Sequence, residues 1–215
     1  MRFWKRTIDN YIAAVGIGDP SIDDESESPM AQEFATRAAT LLEAPVYVRS
    51  DAYMTLFALT GGKNAGVLII SGTGSMTIGE DDAGEISVVG GWGRLTGDEG
   101  SGYEIGLNAL KAAIYSHDGA ADGVAPKTTL TDAALKYFGA VAPRDLISAF
   151  YGTEEPEIAG FSRCVAECAS NGDAVASGIL LDAAEYLSRY ASVLLEKCNA
   201  NLLGVWGSVL CKNVT

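Results

Sequence analysis

The sequence predicts an α/β protein whose first part holds a parallel sheet and whose middle part is antiparallel. Short apolar segments alternate with helical segments over residues 11–59, an order typical of a parallel sheet. Three further apolar segments, joined by close turns, predict an antiparallel meander over residues 66–89. From residue 101 onward apolar residues recur with the helical period. We expect one domain over residues 1–63 and a second over residues 64–215.

Capping residues delimit the helices of the first domain. Ser28 as N-cap and Pro29 at the first helical position start a helix that runs to Glu43. Asp51 is expected to cap the next helix, which stops before two glycines. The elements predicted here are a strand at 11–16, a helix at 29–43, a strand at 46–48 and a helix at 52–59.

The second domain begins with strands and continues with helices. The turn between the second and third strands carries Asp81, Asp82 and Gly84, which are residues typical of tight turns. A last short strand near the end of the chain leads into Gly207 and Ser208. The predicted strands are 66–71, 76–79, 86–89 and 202–205, and the predicted helices are 101–115, 131–138, 143–151, 156–171 and 173–199.

Charge and cysteine content exclude several classes of protein. The formal net charge of -13 repels nucleic acid and anionic membranes, so neither is an expected partner. The longest early apolar segment is too short to cross a bilayer. Four irregularly spaced cysteines form neither a disulfide framework nor a zinc-binding pattern, which favours a reducing compartment, the cytoplasm, and no metal ligands from the protein.

The turn formed by Gly72, Thr73 and Gly74 lies between two predicted strands. Glycine permits positive φ and lets a ligand approach the main chain, so the amides of this turn are suited to holding a phosphate. An ordinary hairpin turn is the alternative, because a short glycine motif by itself is weak evidence.

The segment after the third strand combines glycines with Trp92, Asp98 and Glu99. Backbone amides, an aromatic side chain and acceptor oxygens are what a site for a small polar ligand requires. The alternative is that the two carboxylates only cap the following helix and complement its dipole.

Asp51 ends a strand and begins a helix, where parallel sheets place functional groups. A carboxylate at this point is able to accept the proton of an attacking hydroxyl during phosphoryl transfer. N-capping is again the alternative.

Three motifs taken together resemble one family. They are VLIISGTGS at 67–75, GGWGRLTGDEGSGYEIG at 90–106 and SDA at 50–52. In this order they resemble the N-acetylglucosamine kinases, which are grouped with the BadF/BadG/BcrA/BcrD-type ATPases. The resemblance implies the actin-like ATPase (ribonuclease H-like) fold, with two domains that close around ligands on a hinge at 62–65.

The resemblance also implies a role for particular residues. Thr73 is expected to contact ATP, and Asp51 to deprotonate the 6-hydroxyl of an amino sugar. The implied ATP contacts are Gly72, Thr73, Gly74, Ala159, Gly160, Gly207 and Ser208. The implied amino-sugar contacts are Asp51, Gly91, Trp92, Gly93 and Asp98. ATP with Mg²⁺, an amino sugar and a second copy of the chain in a homodimer are the implied cofactors and partners.

The sequence departs from the family in three places. The opening glycine-rich turn, which supplies the first phosphate loop and the magnesium-positioning aspartate, has no counterpart, so the N-terminal domain is expected to be incomplete. The helices and last strand expected after Ser208 have none either. Met76 stands where some members have a sugar-binding asparagine. Unpaired sheet edges and a reduced core predict that this chain by itself is a weak kinase or inactive.

Two other functions remain open from the sequence. One is a noncatalytic sugar-binding or interaction module that keeps Trp92 and Asp98 but cannot hold magnesium-ATP. The other is an ATP-driven activator of a 2-hydroxyacyl-CoA dehydratase, a related branch that holds an iron–sulfur cluster through cysteines. Its cysteine is expected just before the GTG turn, where this chain has Ile69, Ile70 and Ser71.

Overall fold

A computed structural model describes residues 12–22, 28–62, 65–119, 127–151 and 154–212. The chain forms two compact units, Met1–Ala58 and Leu59–Thr215, which are described separately below. The domain division after residue 63 stays a prediction. Among the described residues, no helix is both long and apolar enough to span a membrane.

The first unit is built from strands that alternate with helices. Its elements are β1 (Val15–Gly18), α1 (Pro29–Leu42), β2 (Val46–Arg49) and α2 (Asp51–Thr60). The two strands pair in parallel, with Val15 opposite Val46, so the predicted parallel α/β order is confirmed. The N-cap of α1 is confirmed as well, because Ser28 Oγ accepts a hydrogen bond from the Ala31 amide at 3.3 Å. The first strand begins later than predicted, and Tyr11 lies outside the described residues.

The second unit contains a four-stranded sheet in the order β5-β4-β3-β6. Its strands are β3 (Gly66–Ser71), β4 (Ser75–Glu80), β5 (Ile86–Gly90) and β6 (Leu203–Trp206). The first three form the predicted antiparallel meander. β6 pairs in parallel with β3, with Ile70 opposite Trp206, and this long-range pairing brings the end of the chain beside the GTG turn.

Helices fill the rest of the second unit. They are α3 (Gly102–Asp118), α4 (Leu130–Phe138), a 3₁₀ turn (Pro143–Asp145), α5 (Leu146–Tyr151), α6 (Glu155–Gly160), α7 (Ser162–Ser170), α8 (Ala174–Lys197) and α9 (Ser208–Lys212). The single helix predicted over 156–171 is wrong, because two helices meet at Phe161. The amide of Phe161 bonds to the Ile158 carbonyl, three residues back, at 3.1 Å, which tightens the turn.

The core of the second unit fixes α3 against α6. Phe161 is fully buried, and its ring lies 5.3 Å from that of Tyr137 and 5.6 Å from that of Phe138. The backbones of α3 and α6 approach so closely that a Cβ at Gly106 would lie 2.2 Å from the Ile158 carbonyl oxygen. This contact positions the end of α6 beside the start of α3.

Asp173 holds the N-terminus of α8 against the segment before α4. Its Oδ1 accepts hydrogen bonds from the Val175 and Ala176 amides at 2.9 and 3.0 Å. Its Oδ2 accepts from the Thr129 amide and from the Thr128 and Thr129 hydroxyls. Burial alone would raise the pKa of this carboxyl, but the hydrogen bonds from Ala176, Thr129 and Thr128 outweigh it and lower the pKa to about 2.

Asp173→Asn is expected to destabilise the chain by about 2 kcal/mol at pH 7, because each pKa unit is worth about 1.4 kcal/mol. The folded-state pKa is depressed, so this stabilisation is present above the ordinary value of 3.8 and is lost as the pH falls towards 2. Urea unfolding of the wild-type chain and of Asp173→Asn between pH 6 and pH 3 measures the difference in their free energies of unfolding. If this difference does not become smaller below pH 4, the Asp173 carboxylate is not the source of the stabilisation.

Candidate functional site

The GTG turn connects β3 to β4 and exposes backbone donors. Ser71 and Ser75 are the last paired residues of the two strands, and the Gly72 amide donates to the Gly74 carbonyl at 2.9 Å. The amides of Thr73 and Gly74 donate to no acceptor within the part of the chain that the structure describes. Thr73 itself is exposed. Two adjacent N–H groups are therefore able to bind an anion.

The two glycines of this turn differ in what surrounds them. Neither has φ in the left-handed region, so the turn does not use the positive φ that glycine permits. Gly74 is needed for close approach, because a Cβ there would lie 2.8 Å from Asp98 Oδ2. A Cβ at Gly72 would meet nothing within 4 Å, so this side of the turn is open.

The start of α3 and the end of α6 adjoin the turn. The Gly102 amide donates to the Gly72 carbonyl at 2.8 Å, and the Tyr103 amide donates to the Thr73 carbonyl at 3.1 Å. A Cβ at Gly102 would lie 2.9 Å from the Gly72 oxygen and 3.1 Å from the Ala159 oxygen. Gly102 therefore lies between the turn and the carbonyl of Ala159, which Gly160 follows in sequence.

The end of β6 reaches the turn from the other side. A Cβ at Gly207 would lie 2.1 Å from the Ser71 carbonyl oxygen, and Gly207 has φ 105°. Ser208 then begins α9. The structure thus brings together three predicted segments, Gly72–Gly74, Ala159–Gly160 and Gly207–Ser208, at the carboxyl ends of β3 and β6.

The residues from Gly90 to Glu99 form a loop, called here the Gly90–Glu99 loop, which begins at the end of β5. Gly90, Gly91 and Gly93 have φ of 79°, 72° and 82°, values that favour glycine. Trp92 is 80 % exposed. Asp98 is only 8 % exposed, and its Oδ1 accepts a hydrogen bond from the Gly93 amide at 3.2 Å. Its other oxygen faces Gly74, so this carboxylate links the loop to the GTG turn.

Asp98 and Glu99 do not cap α3, so that alternative is wrong. Ser101 is the N-cap, since its Oγ accepts from the Glu104 amide at 3.1 Å. The Glu104 carboxylate in turn accepts from the Gly100 amide. Asp98 has φ 60°, a left-handed conformation that costs about 1 kcal/mol for a residue other than glycine. Its surroundings must hold it there, which is typical of functional sites.

Ser71 and Ser75 are site residues that the sequence reasoning missed. Ser71 Oγ donates to the Gly100 carbonyl at 2.8 Å, and Ser75 Oγ donates to the Glu99 carbonyl at 2.7 Å. These bonds attach the backbone after Asp98 to the two ends of the GTG turn. The available signal was the symmetric placement of the serines in SGTGS.

Asp51 belongs to the first unit and is exposed at the start of α2. The predicted N-cap at Asp51 is wrong, because Ser50 occupies that position and its Oγ accepts from the Tyr53 amide at 2.9 Å. Asp51 is the first helical residue, and its Oδ1 accepts from the adjacent Ala52 amide at 2.8 Å. The helix therefore does not depend on the Asp51 carboxylate for its cap.

Side chains able to ligate a metal are dispersed in the described part of the chain. No group of three or more histidine, cysteine, aspartate or glutamate side chains within the described ranges is arranged to hold an ion. Cys164 and Cys168 lie one turn apart on α7, both are free, and burial raises the pKa of the Cys164 thiol. A magnesium ion that accompanies a nucleotide needs only one or two carboxylates besides phosphate oxygens and water, so it does not require such a group.

The matching family model defines the class of this protein. Residues 1–209 match the BadF/BadG/BcrA/BcrD ATPase family, so the chain belongs to that family. Both the resemblance and the actin-like ATPase fold expected from it are confirmed.

Among individual relatives, the chain is 34 % identical over 188 residues to the N-acetylmuramic acid/N-acetylglucosamine kinase of Clostridium acetobutylicum. It is 33 % identical over 190 residues to the N-acetyl-D-glucosamine kinase of Dictyostelium discoideum. These matches cover 86 % of this chain and 58 % of each relative, so the chain spans less than two thirds of their length.

A crystal structure from Chromobacterium violaceum, whose protein carries the provisional name N-acetylglucosamine kinase, superposes with a TM-score of 0.71. Sequence identity is 23 %, and the match covers 91 % of this chain and 64 % of that one. This likeness supports the fold.

Proposed function

We propose that this chain takes part in ATP-dependent transfer of a phosphoryl group to the 6-hydroxyl of N-acetylglucosamine or a related amino sugar. One observation carries the proposal: two segments distant in sequence, Ala159–Gly160 and Gly207–Ser208, converge on the GTG turn, and the Asp98 carboxylate lies against that turn. The names of the two curated relatives support an amino sugar as the acceptor.

The phosphate end of the proposed site is the GTG turn. The amides of Thr73 and Gly74 donate to phosphate oxygens, and the Thr73 hydroxyl adds a third donor. Ala159, Gly160, Gly207 and Ser208 border the adenosine. This proposed nucleotide site consists of backbone groups and small residues. Its shape and its hydrogen bonds therefore select ATP, and no lysine side chain is needed.

The sugar end of the proposed site is the Gly90–Glu99 loop. Asp98 accepts hydrogen bonds from sugar hydroxyls. Gly93, where an added Cβ would meet nothing within 4 Å, leaves space for the ring, and Gly91 contacts the sugar through its backbone. The exposed indole of Trp92 provides an apolar face against which a sugar ring packs.

Asp51 is the proposed general base. It takes the proton from the 6-hydroxyl as that oxygen attacks the γ-phosphorus, and the bond between that phosphorus and the bridging oxygen of ADP breaks. Mg²⁺, when it accompanies ATP, neutralises charge on the phosphates. The weak activity, the homodimer and the cytoplasmic location expected from the sequence stay predictions.

Titration calorimetry combined with a radiolabelled phosphoryl-transfer assay tests the proposal. The 215-residue chain is titrated with ATP, N-acetylglucosamine, N-acetylmuramic acid and glucose, and product is followed over long incubations. ATP binding together with amino-sugar phosphate formation supports the kinase, and the same assay gives its rate. Sugar binding with no response to ATP would instead favour the noncatalytic module.

Gly72→Ala is expected to weaken ATP binding about tenfold without lowering the melting temperature. The added methyl meets no protein atom within 4 Å, so the fold tolerates it, but the methyl occupies the open side of the turn that the phosphates approach. Calorimetry with ATP and thermal unfolding of the same preparation measure the two effects.

Gly178→Ala on α8 is the matched control, because its added methyl also meets nothing within 4 Å. It should leave ATP affinity unchanged and stabilise the helix by up to about 1 kcal/mol. Equal ATP affinity in Gly72→Ala and the wild-type chain would remove the GTG turn from the proposed nucleotide site.

A further inference from the structure

Both ends of the Gly90–Glu99 loop rest on the long helix α8. At the first end, a Cβ at Gly90 would lie 3.0 Å from Cε2 of Tyr190. At the other end, the Tyr190 hydroxyl donates a hydrogen bond to Glu99 Oε2 at 2.7 Å. One side chain therefore contacts the residue where the loop leaves β5 and the residue that follows Asp98.

The neighbouring turns of α8 continue this support. A Cβ at Gly100 would lie 2.6 Å from Leu187 Cγ and 2.8 Å from the Ala183 carbonyl oxygen. Ala183, Leu187 and Tyr190 are four and three residues apart, so they lie on one face of the helix. This face forms a platform on which the loop ends.

The middle of the loop is folded on itself: the Thr96 and Gly97 amides donate to the Gly93 carbonyl at 3.1 and 2.8 Å, and the Arg94 guanidinium lies over the Tyr103 ring. The residues between Gly91 and Thr96 are exposed, and both Gly90 and Asp98 adopt left-handed backbone conformations. A segment with few buried contacts opens at low cost unless its ends are fixed. The contacts of α8 at the two ends therefore act together with the bonds from Ser71 and Ser75 to hold the segment that carries Asp98.

We propose that Tyr190 is a positioning residue for the sugar end of the site, holding both ends of the Gly90–Glu99 loop and thereby fixing the Asp98 carboxylate. This inference rests on the proposed function, because it assigns Asp98 to the amino sugar. Burial and the Glu99 carboxylate raise the pKa of Tyr190 to about 12, so its hydroxyl remains a donor at neutral pH.

Tyr190→Phe tests the inference, with Tyr186→Phe as the matched control. Tyr186 lies one turn earlier on α8, where its ring packs under Arg189, and no described hydrogen bond joins its hydroxyl to Glu99. Tyr190→Phe removes the hydrogen bond to the charged Glu99 carboxylate, so it should raise the Kd for N-acetylglucosamine about tenfold. The Kd for ATP should stay within about twofold of the wild-type value. Tyr186→Phe should change neither.

Hydrogen exchange of the backbone amides from Gly91 to Gly100 gives a second readout that needs no ligand. Tyr190→Phe should speed exchange in this segment about threefold relative to Tyr186→Phe. Glu99→Gln keeps an acceptor oxygen for the Tyr190 hydroxyl, so its effect should be smaller. Adding it to Tyr190→Phe should cause less than the sum of the two single effects, because the two residues share one bond.

Unchanged exchange in Tyr190→Phe would overturn the inference whatever the wild-type chain binds. Faster exchange with unchanged amino-sugar affinity, or an equal loss of ATP and sugar affinity, would also overturn it. A wild-type chain that binds no amino sugar but shows exchange dependent on Tyr190 would overturn the proposed function, while supporting the hold of Tyr190 on the loop.

Discussion

Gly207→Ala is expected to destabilise the second unit by about 4 kcal/mol, since it combines overpacking with backbone strain. The new Cβ would lie 2.1 Å from the Ser71 carbonyl oxygen and 2.5 Å from its carbon. Both are backbone atoms, so no side-chain rotation relieves the clash. The residue also has φ 105°, which alanine rarely adopts.

The clash falls where β6 meets the end of β3. Ile70 pairs with Trp206 immediately before it, and the displaced Ser71 carries the hydroxyl that bonds to the Gly100 carbonyl. Separation of the two strands here would therefore move the GTG turn as well as expose the sheet. Urea unfolding followed by circular dichroism measures the loss of stability.

Gly172→Ala is the control that separates backbone strain from overpacking. Gly172 has φ 89°, but a Cβ there would meet nothing within 4 Å, so the variant carries the strain without the clash. We expect it to lose about 1 kcal/mol. Similar losses in the two variants would mean that the contact with Ser71 relaxes freely, which would contradict the close packing of β6 on β3.

Local signals in the sequence were sufficient where the structure is determined locally. The helix start at Ser28 and Pro29 was predicted from capping preference alone, and Ser28 does accept the Ala31 amide. The same reasoning was wrong by one residue at α2, because serine and aspartate both favour the N-cap and stand side by side as Ser50 and Asp51. Neighbouring residues of equal preference leave such a boundary undetermined.

Tertiary packing decided the features that the sequence did not reveal. Gly160 stands directly before the break at Phe161, but an isolated glycine is tolerated within a helical pattern and does not by itself end a helix. A fully buried ring in the core of the second unit accompanies the change from α6 to α7. The sequence indicates that the glycines of the GTG turn allow a close approach, but not that the side chain of Asp98 is what approaches Gly74. Which atom approaches a glycine is a long-range property of the fold.

The contacts that bring the segments of the proposed site together also depend on long-range packing. Nothing local to Gly207 indicates Ser71 as its neighbour; the parallel pairing of β6 with β3 creates that contact. The resemblance to a family supplied Ala159, Gly160, Gly207 and Ser208 before the structure brought them together. Their binding roles stay predictions until ligands are titrated.

In the phosphoryl transfer proposed above, Asp51→Asn is expected to lower kcat about a thousandfold, within the range for loss of a general base. The amide keeps the size of the side chain and the oxygen that accepts the Ala52 amide, but it cannot take a proton from the sugar hydroxyl. The Kd for N-acetylglucosamine should change by less than about threefold, because only the transition state loses the interaction. Radiolabel transfer under excess enzyme measures the rate.

Ser50→Ala is the control, and it should lower stability without lowering kcat. It removes the hydroxyl that accepts the Tyr53 amide and should cost about 1 kcal/mol of stability, whereas kcat should remain close to that of the wild-type chain. Asp51→Asn should lower stability by less than Ser50→Ala, because α2 keeps its serine cap and loses only an exposed charge in its first turn. If instead Asp51→Asn melts early and retains its rate of transfer, the carboxylate acts in the helix and a different group must accept the proton.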